Sequence, residues 1–546
     1  MSQKNYRFKA IILILLFAFG FMSFYSLWNY HGSTSSQSQI AQQMRGRDFN
    51  QPGAQNPTPS GISSNAVERG QAFSGGSPQG KMPSNGDGRQ RMGQPNGRNL
   101  SAGISSGNQL TFPILAYSII FFAFVLLAYY LVTYKKVKLS IPSDKHKLLI
   151  FTILCIGLLW RISLATWVTG HPYDLSTFLN WANTAANRFS QFYTGLSTGR
   201  SASDYPPLYI YVLYLIGKAI SISWLSPYAV LLLKLPSILA DILTGYLIYK
   251  LAEKHLTWEK SALLSAFYLF NPAIFINSTV WGQVDSFFTL IIVTAVILLT
   301  EQKIGLAAVF FTAAILMKPQ GIIFIPVLGF ELIRQLKQKN WKTVFKAILA
   351  AMLTTVILVL PFSINGGVSW ILKLYTGTLG EYPYASVNGF NLYSLFGLNF
   401  VKDTAKGFIF SYHQWGLIFI VLISAFAWFL YIKGKDASYV AATAWLLIAG
   451  VFVLSTRMHE RYLFPAVALG VLAFIYLKDK RFLLLTTGFS LTVYVNTHYV
   501  LFETLKSINT IPFNSVLFLT SLLNALLLGY LIKVIYDIAV KGRTIR

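Results

Sequence analysis

Acidic residues, cysteine and charge of either sign are scarce in this chain. Its 546 residues hold 19 Asp and Glu against 45 Lys and Arg, and a single cysteine. Only 12% of residues are charged, where soluble domains usually carry about 25%. Cys155 has no second cysteine to pair with, and its place inside an apolar run is that of a small hydrophobe. No closely spaced His and carboxylate cluster of the zinc type occurs, and no clear internal repeat relates one half to the other. What fills the chain is apolar: 54% of residues are hydrophobic and 15% aromatic. Phe112 to Tyr134 and Ile511 to Ile532 contain no charged residue. Runs of about 20 such residues are long enough to cross the roughly 30 Å hydrocarbon layer. The fold class is therefore an all-α polytopic integral membrane protein. The net charge of +26 does not point to nucleic acid, because the Lys and Arg residues sit in short loops between apolar runs. That is the cytoplasmic excess of a multi-pass protein.

Residues 1–30 form an N-terminal anchor. The run from Ala10 to Trp28 follows Lys4, Arg7 and Lys9 and ends in bulky aromatics with no small-residue cleavage site. Residues 31–110 are rich in Gly, Ser, Gln, Asn and Pro. They cannot bury enough surface to offset their conformational entropy, and a disordered extracytoplasmic linker is expected. Residues 111–546 carry the remaining apolar runs, including 112–133, 147–168, 284–300, 303–317, 320–335 and 461–477. With the N-terminus inside, alternation places the basic clusters around Lys135, Lys254, Arg334, Lys478 and Lys541 inside as well. Counting Leu208 to Ile220 as a span would invert every later loop, so it is expected to lie in the outer interface. The expectation is about 14 crossings plus that interfacial helix, both termini cytoplasmic, with 303–317 and 320–335 the spans prone to tilt or break.

The same alternation gathers the unusual polar residues on the outer side of a cell membrane. One loop carries His171-Pro-Tyr-Asp174 with Trp181, and then Asp204-Tyr205-Pro-Pro. Others carry Asn277-Ser-Thr-Val-Trp-Gly-Gln-Val-Asp285, Lys318-Pro-Gln-Gly, Ser386-Val-Asn388-Gly-Phe-Asn391 and His459-Glu460-Arg461-Tyr. In so acid-poor a chain, Asp174, Asp204, Asp285 and Glu460 at one membrane boundary are functional candidates by default. Lys318, His459 and Arg461 stand opposite as cationic donors. A carboxylate can take a proton from an attacking hydroxyl, and a guanidinium matches charge building on a departing phosphate. Plainer duties exist for each: Asp204 suits a helix start, Lys318 can snorkel, and the His-Glu-Arg triplet can be an ion pair. A magnesium or manganese ion on Asp174 and Asp285 is compatible with the residue types. Within the spans, Arg161, Lys234 and Asp241 need partners, and a buried pair between Asp241 and a nearby base is expected.

In this order the motifs resemble the GT-C glycosyltransferases, membrane enzymes that use polyprenyl-phosphate-linked sugars. The likeness runs from His171 to Tyr462 and is nearest to bacterial relatives of GPI mannosyltransferase II. It adds Lys234-Leu-Pro-Ser-Ile-Leu-Ala-Asp241 and Asn271-Pro-Ala to the loops above. The resemblance implies a helical bundle with its active site at the outer face and Asp174 as catalytic base. It implies Asp285, Lys318, His459, Glu460 and Arg461 as donor or substrate contacts, with Asp204, Tyr205, Trp181, Asn388 and Asn391 beside them. It further implies an inverting transfer of a hexose, mannose-like, with no resident cofactor or metal. The partners are then the lipid donor, a glycan, lipid or protein acceptor, and the membrane, with no nucleic acid. A transporter or flippase of lipid-linked sugars, or an inactive scaffold, are the alternatives. The sugar, acceptor, linkage and oligomeric state are not encoded in any motif.

Overall fold

The computed structural model describes residues 3–30, 101–137, 145–194, 203–364 and 367–545. Most of the expected linker, 31–100, lies outside the described residues. The described residues are helical apart from loops and one two-residue-stranded hairpin, β1 (Lys406–Gly407) with β2 (Phe410–Ser411). The helices used below are α1 (Gln3–Trp28), α2 (Ser101–Thr133), α3 (His146–Trp167), α4 (Pro172–Asn187), α5 (Pro207–Ile220) and α6 (Ala229–His255). They continue with α7 (Trp258–Leu269), the turn α8 (Pro272–Phe275), α9 (Asp285–Thr300), α10 (Ile304–Ile315), α11 (Ile325–Lys337) and α12 (Trp341–Ser363). The last are α13 (Ser369–Gly380), α14 (Leu392–Leu395), α15 (Tyr412–Gly434), α16 (Val440–Leu454), α17 (Ala466–Leu477), α18 (Arg481–Leu505) and α19 (Ser515–Ala539).

Every expected span is helical over most of its length. Among the described residues nine helices are long and apolar enough to cross a membrane. α9, α10 and α17 are shorter apolar helices of 16, 12 and 12 residues. A 12-residue helix rises about 18 Å, less than the roughly 30 Å hydrocarbon layer. The reason is polar chemistry at their ends. The run after α10 is broken by Lys318-Pro319 and restarts as a 3₁₀ turn, Pro319–Phe324, before α11. α2 begins at Ser101, inside the expected linker, because a nucleated helix extends cheaply beyond its apolar run.

Two groups of polar contacts mark two ends of the bundle. At one end Lys254 pairs with Glu301 at 2.7 Å, Lys303 with Glu301 at 3.0 Å, and Arg481 with Asp537 at 3.2 Å. At the other end the loops carrying Asp174, Asp285, Lys318 and Arg461 meet, as alternation requires. α5 begins at this second end, and the chain after it comes back to the end of α1. Leu208 donates its backbone N–H to Leu316 O beside Lys318, while past the helix Tyr228 stacks on Tyr30 at the end of α1. Its 14 residues rise about 21 Å, and the helix packs along α4 without crossing.

The core is continuous, with α16 and α17 almost wholly buried. Within it Arg161 Nε meets Asp241 Oδ2 at 3.1 Å, both side chains fully buried. Arg161 also donates to Leu269 O at 2.6 Å, and Ser278 donates to Asp241 at 2.6 Å. This is the expected pair. Lys234 has a different partner: its ammonium donates to Val168 O at 2.6 Å, the carbonyl that ends α3. A cation at a helix C-terminus satisfies orphan carbonyls and opposes the helix dipole.

Candidate functional site

Asp174 lies in the first turn of α4, where Pro172 sets the helical φ and His171 is the N-cap. The His171 ring accepts the Asp174 backbone N–H at its Nδ1, 3.3 Å away. That nitrogen therefore carries no proton, and its 3.4 Å approach to Asp174 Oδ2 is no ion pair in this state. Burial pushes the His171 pKa down, outweighing the opposing pull of Asp174, and nearby Arg461 adds to the lowering. Gly170 just before it has φ +97, and a Cβ there would stand 2.8 Å from Trp281 O and 2.4 Å from Leu175 Cδ1. Only glycine lets the 168–174 loop lie this close to the Trp281 loop.

That second loop is a π-helical turn, Ile276–Trp281, followed by Gly282 and the start of α9. Such bulges re-aim side chains and recur at functional sites. Here the turn points Trp281 Nε1 and Gln283 Nε2 at the same oxygen, Asp174 Oδ2, at 2.6 and 2.5 Å. Among the described residues no hydrogen bond engages Asp174 Oδ1. Burial would raise the Asp174 pKa, but His171, Arg461 and the two N–H donors together hold it below the usual carboxylate value. Asp174 is thus ionised, oriented by two donors, and half-buried with one oxygen to spare.

The indole of Trp281, 2% exposed, joins this carboxylate to the cations. Arg461 lies over its ring at 5.2 Å and His171 stacks on it at 5.1 Å. Arg461 donates to Glu460 at 2.5 Å and stands 3.7 Å from Asp285. Asp285, at the N-terminus of α9, accepts Lys318 on Oδ1 at 2.5 Å and Asn277 on Oδ2 at 3.0 Å. Both its oxygens are thus engaged by protein donors. Among the described residues no group of three or more His, Cys, Asp or Glu stands ready for a metal. Lys318 also faces the Tyr205 ring at 5.5 Å, and Tyr205 packs on Trp181 at 5.4 Å. Asp174, Trp281, Arg461, Asp285, Lys318, Tyr205 and Trp181 thus form one continuous chain of contacts.

The other expected residues fall into place differently. His459 packs edge-on against Tyr382 at 4.6 Å. Burial, with Arg461 and Lys318 nearby, lowers its pKa to about 3, so it is a neutral ring and not the cation expected. Asp204 is half-buried before α5 and does not cap it, because Pro206 is the N-cap. Burial raises the Asp204 pKa, with Lys318 and Arg461 opposing. Asn388 and Asn391 spend their amides on protein. Asn388, at φ +55, donates to Asn509 O at 2.8 Å and accepts from Ile511 N at 3.0 Å. Asn391 caps α14 and donates to Ser455 O at 3.2 Å. They hold the 382–400 loop against the His459 loop, where Val387 N–H donates to Met458 O at 3.0 Å.

Three contributors escaped the residue-type search. Trp281 and Gln283 are neutral and sit inside a motif picked out for its Asp. Glu381 stands at the mouth of the site, reachable by solvent yet crowded by protein. Burial and Asp204 push its pKa up to about 7. The Glu381-Tyr-Pro triplet was the only available signal for it.

Fold and site together describe a multi-pass, all-α membrane protein with a buried cluster of acids and cations at one end of its bundle. A family model described as GPI transamidase subunit PIG-U matches residues 193–380, about a third of the chain. The match takes in Asp204, Tyr205, Asp285 and Lys318, and leaves Asp174, Trp181 and His459 to Arg461 outside it. No curated protein matches the chain.

Proposed function

We propose that this protein transfers a hexose from a polyprenyl-phosphate carrier to an acceptor hydroxyl at the outer face of the cytoplasmic membrane. The observation that carries the reading is Asp174. It is an ionised carboxylate with one oxygen clamped by Trp281 and Gln283, one oxygen uncommitted, and two cations across the indole. The acceptor oxygen attacks C1 of the sugar while its proton passes to Asp174 Oδ1. The bond from C1 to the phosphate oxygen breaks, and the phosphate leaves with the electron pair beside Arg461 and Lys318. Attack and departure on opposite faces invert C1. In the free protein Glu460 and Asp285 are the resident counter-ions, and the donor phosphate competes with them for the guanidinium. The GT-C-like motif order supports the same class, and the mannosyltransferase likeness makes mannose the first sugar to try.

A second reading is a subunit that binds lipid-linked glycan for another protein's chemistry. It is favoured by the matched family's description and by the absence of Asp174 and Arg461 from the match. A flippase finds less support, because Arg161, Lys234 and Asp241 are consumed by protein partners within the spans. The test is Asp174→Asn in proteoliposomes supplied with labelled polyprenyl-phosphate hexose, alongside mass spectrometry of lipid-linked sugars in a deletion strain. Transfer lost with the fold intact, and donor accumulating in the strain, are expected. Full transfer by Asp174→Asn removes the base assignment, and an unchanged lipid profile favours the binding subunit.

A further inference from the structure

The hairpin formed by β1 and β2 breaks two rules at once. Its two-residue turn is Phe408-Ile409, with strand partners Gly407 and Phe410. Phe408 sits at φ +70, a conformation that tight hairpin turns normally give to Gly, Asn or Asp. It is also 90% exposed, with Ile409 at 66%. Large apolar residues at a strained, water-facing tip are costly on both counts, and a polar turn would remove both costs. The conflict disappears if the tip does not face water.

The surroundings say what it faces. The hairpin leads directly into α15, one of the helices long and apolar enough to span a membrane. Ser411 of β2 is the N-cap of that helix in a full capping box. Trp415, in its first turn, donates to Gly407 O at 2.7 Å and packs edge-on against Phe410 at 5.3 Å. The apolar exposure is continuous: below the tip, Leu417 and Val421 of α15 are 50% and 66% exposed. An apolar groove of about 440 Å³, lined by Leu392, Phe396, Trp415 and Phe419 among others, lies beside them. Lys402 and Lys406 are exposed on the stalk, and its one acid, Asp403, is buried. Aromatic tips with flanking cations are the composition of a membrane interface.

We propose that the 406–411 hairpin is a membrane wedge: Phe408 and Ile409 insert into the hydrocarbon of the adjacent leaflet, and Lys402 and Lys406 meet lipid phosphates. The stalk is tied to the site. Asp403 accepts Arg457 Nε at 2.7 Å, and the Arg457 N–H donates to Tyr384 O at 3.0 Å. The depth of the tip therefore sets the height of the 457–461 loop above the bilayer. This inference stands apart from the transferase reading.

The test is spin-label depth measurement on the full chain in phosphatidylcholine–phosphatidylglycerol nanodiscs, with Cys155→Ser as background. Ile409→Cys is compared with Val421→Cys on the flank of the span and Gln338→Cys on an exposed turn. The label at 409 is expected to be relaxed more by oxygen than by a water-soluble nickel chelate, as at 421. Preferential nickel access, as at 338, overturns the wedge. Access to neither reagent also overturns it, since the tip would then be covered by protein, and label-to-label coupling would identify a second copy.

Discussion

Removing the Trp281 N–H while keeping its ring isolates one contact of the clamp. Trp281→Phe preserves an aromatic face under Arg461 and beside His171, where the present distances are 5.2 and 5.1 Å. It deletes one of the two donors on Asp174 Oδ2. A hydrogen bond to a charged group contributes about 1.5–3 kcal/mol net, and a decade in rate corresponds to about 1.4 kcal/mol. If the clamp orients Asp174 in the transition state, turnover falls roughly 10- to 100-fold with little change in KM for the donor. The pH profile supplies a signature that a merely weakened fold would not. On the proposed chemistry Asp174 acts as a base when ionised, and the clamp helps hold its pKa below the ordinary value. Activity is therefore present above that pKa and lost as pH falls through it. Losing a donor raises the pKa, so the acid limb moves to higher pH. Gln283→Leu, which deletes the other donor, is expected to move it in the same direction. The assay is hexose transfer from polyprenyl phosphate in proteoliposomes across the acid range, with thermal melts to confirm folding. An acid limb and turnover unchanged in both variants would refute the clamp.

The buried Arg161–Asp241 pair gives a prediction that needs no substrate. Either Arg161→Leu or Asp241→Leu leaves one polar partner stranded, and each is expected to cost about 3–5 kcal/mol in nanodisc thermal unfolding. Arg161→Leu with Asp241→Leu is expected to recover part of the loss, and a double loss equal to the sum of the singles would show that the two side chains do not interact. Glu381 titrates in the neutral range and His459 well below it. Glu381, with its pKa near about 7, gains charge beside Asp204 as pH rises, and its raised pKa makes that charging destabilising. Glu381→Gln should therefore flatten the decline in stability from the acid side up through neutrality. His459→Gln should leave the pH–activity profile near neutrality in place, because a ring titrating at about 3 is already neutral there. Disappearance of a near-neutral limb in His459→Gln would contradict that assignment.

Much of the architecture was legible because two strong physical signals agree. Apolar runs mark every helix that spans, and loop charge sorts their ends. The Leu208–Ile220 segment is apolar enough to pass for a crossing, and only charge alternation kept it out of the expected spans; it forms the 14-residue helix α5. Helix length was less legible. Apolarity continues through Met317 and resumes at Gly321, so nothing in the hydropathy says that α10 stops at Ile315. Pro319 was the one clue to the break. At the site, residue type picked out acids and cations that the structure brings together, since a buried charge must find another. It also picked Asn388 and Asn391, whose amides bond to loop backbone, because an Asn in a loop serves backbone closure as readily as a ligand. It passed over Trp281 and Gln283, whose role depends on a π turn that leaves no periodic trace. His459 looked cationic only until its burial was known.

The position of Trp281 bears on how one pocket can serve both a base and a leaving group. Asp174 and Glu460 lie among four acids with only Lys318 and Arg461 to balance them, which would make a uniform pocket hostile to phosphate. The indole divides it. Its N–H edge is turned to Asp174 and its face to Arg461, so the cations gather with Asp285 and Tyr205 on one side. Burial raises the pKa values of Asp204 and Glu460, which lessens the negative charge a phosphate would meet. On the proposed chemistry, the proton acceptor and the phosphate stabiliser must flank C1 from opposite faces, separated by about the width of a sugar. A rigid, buried ring between them maintains that separation. The same argument assigns the acceptor hydroxyl to the His171–Asp174 side and the lipid phosphate to the Lys318–Arg461 side. Lys318→Met should therefore weaken donor binding while leaving acceptor KM unaltered.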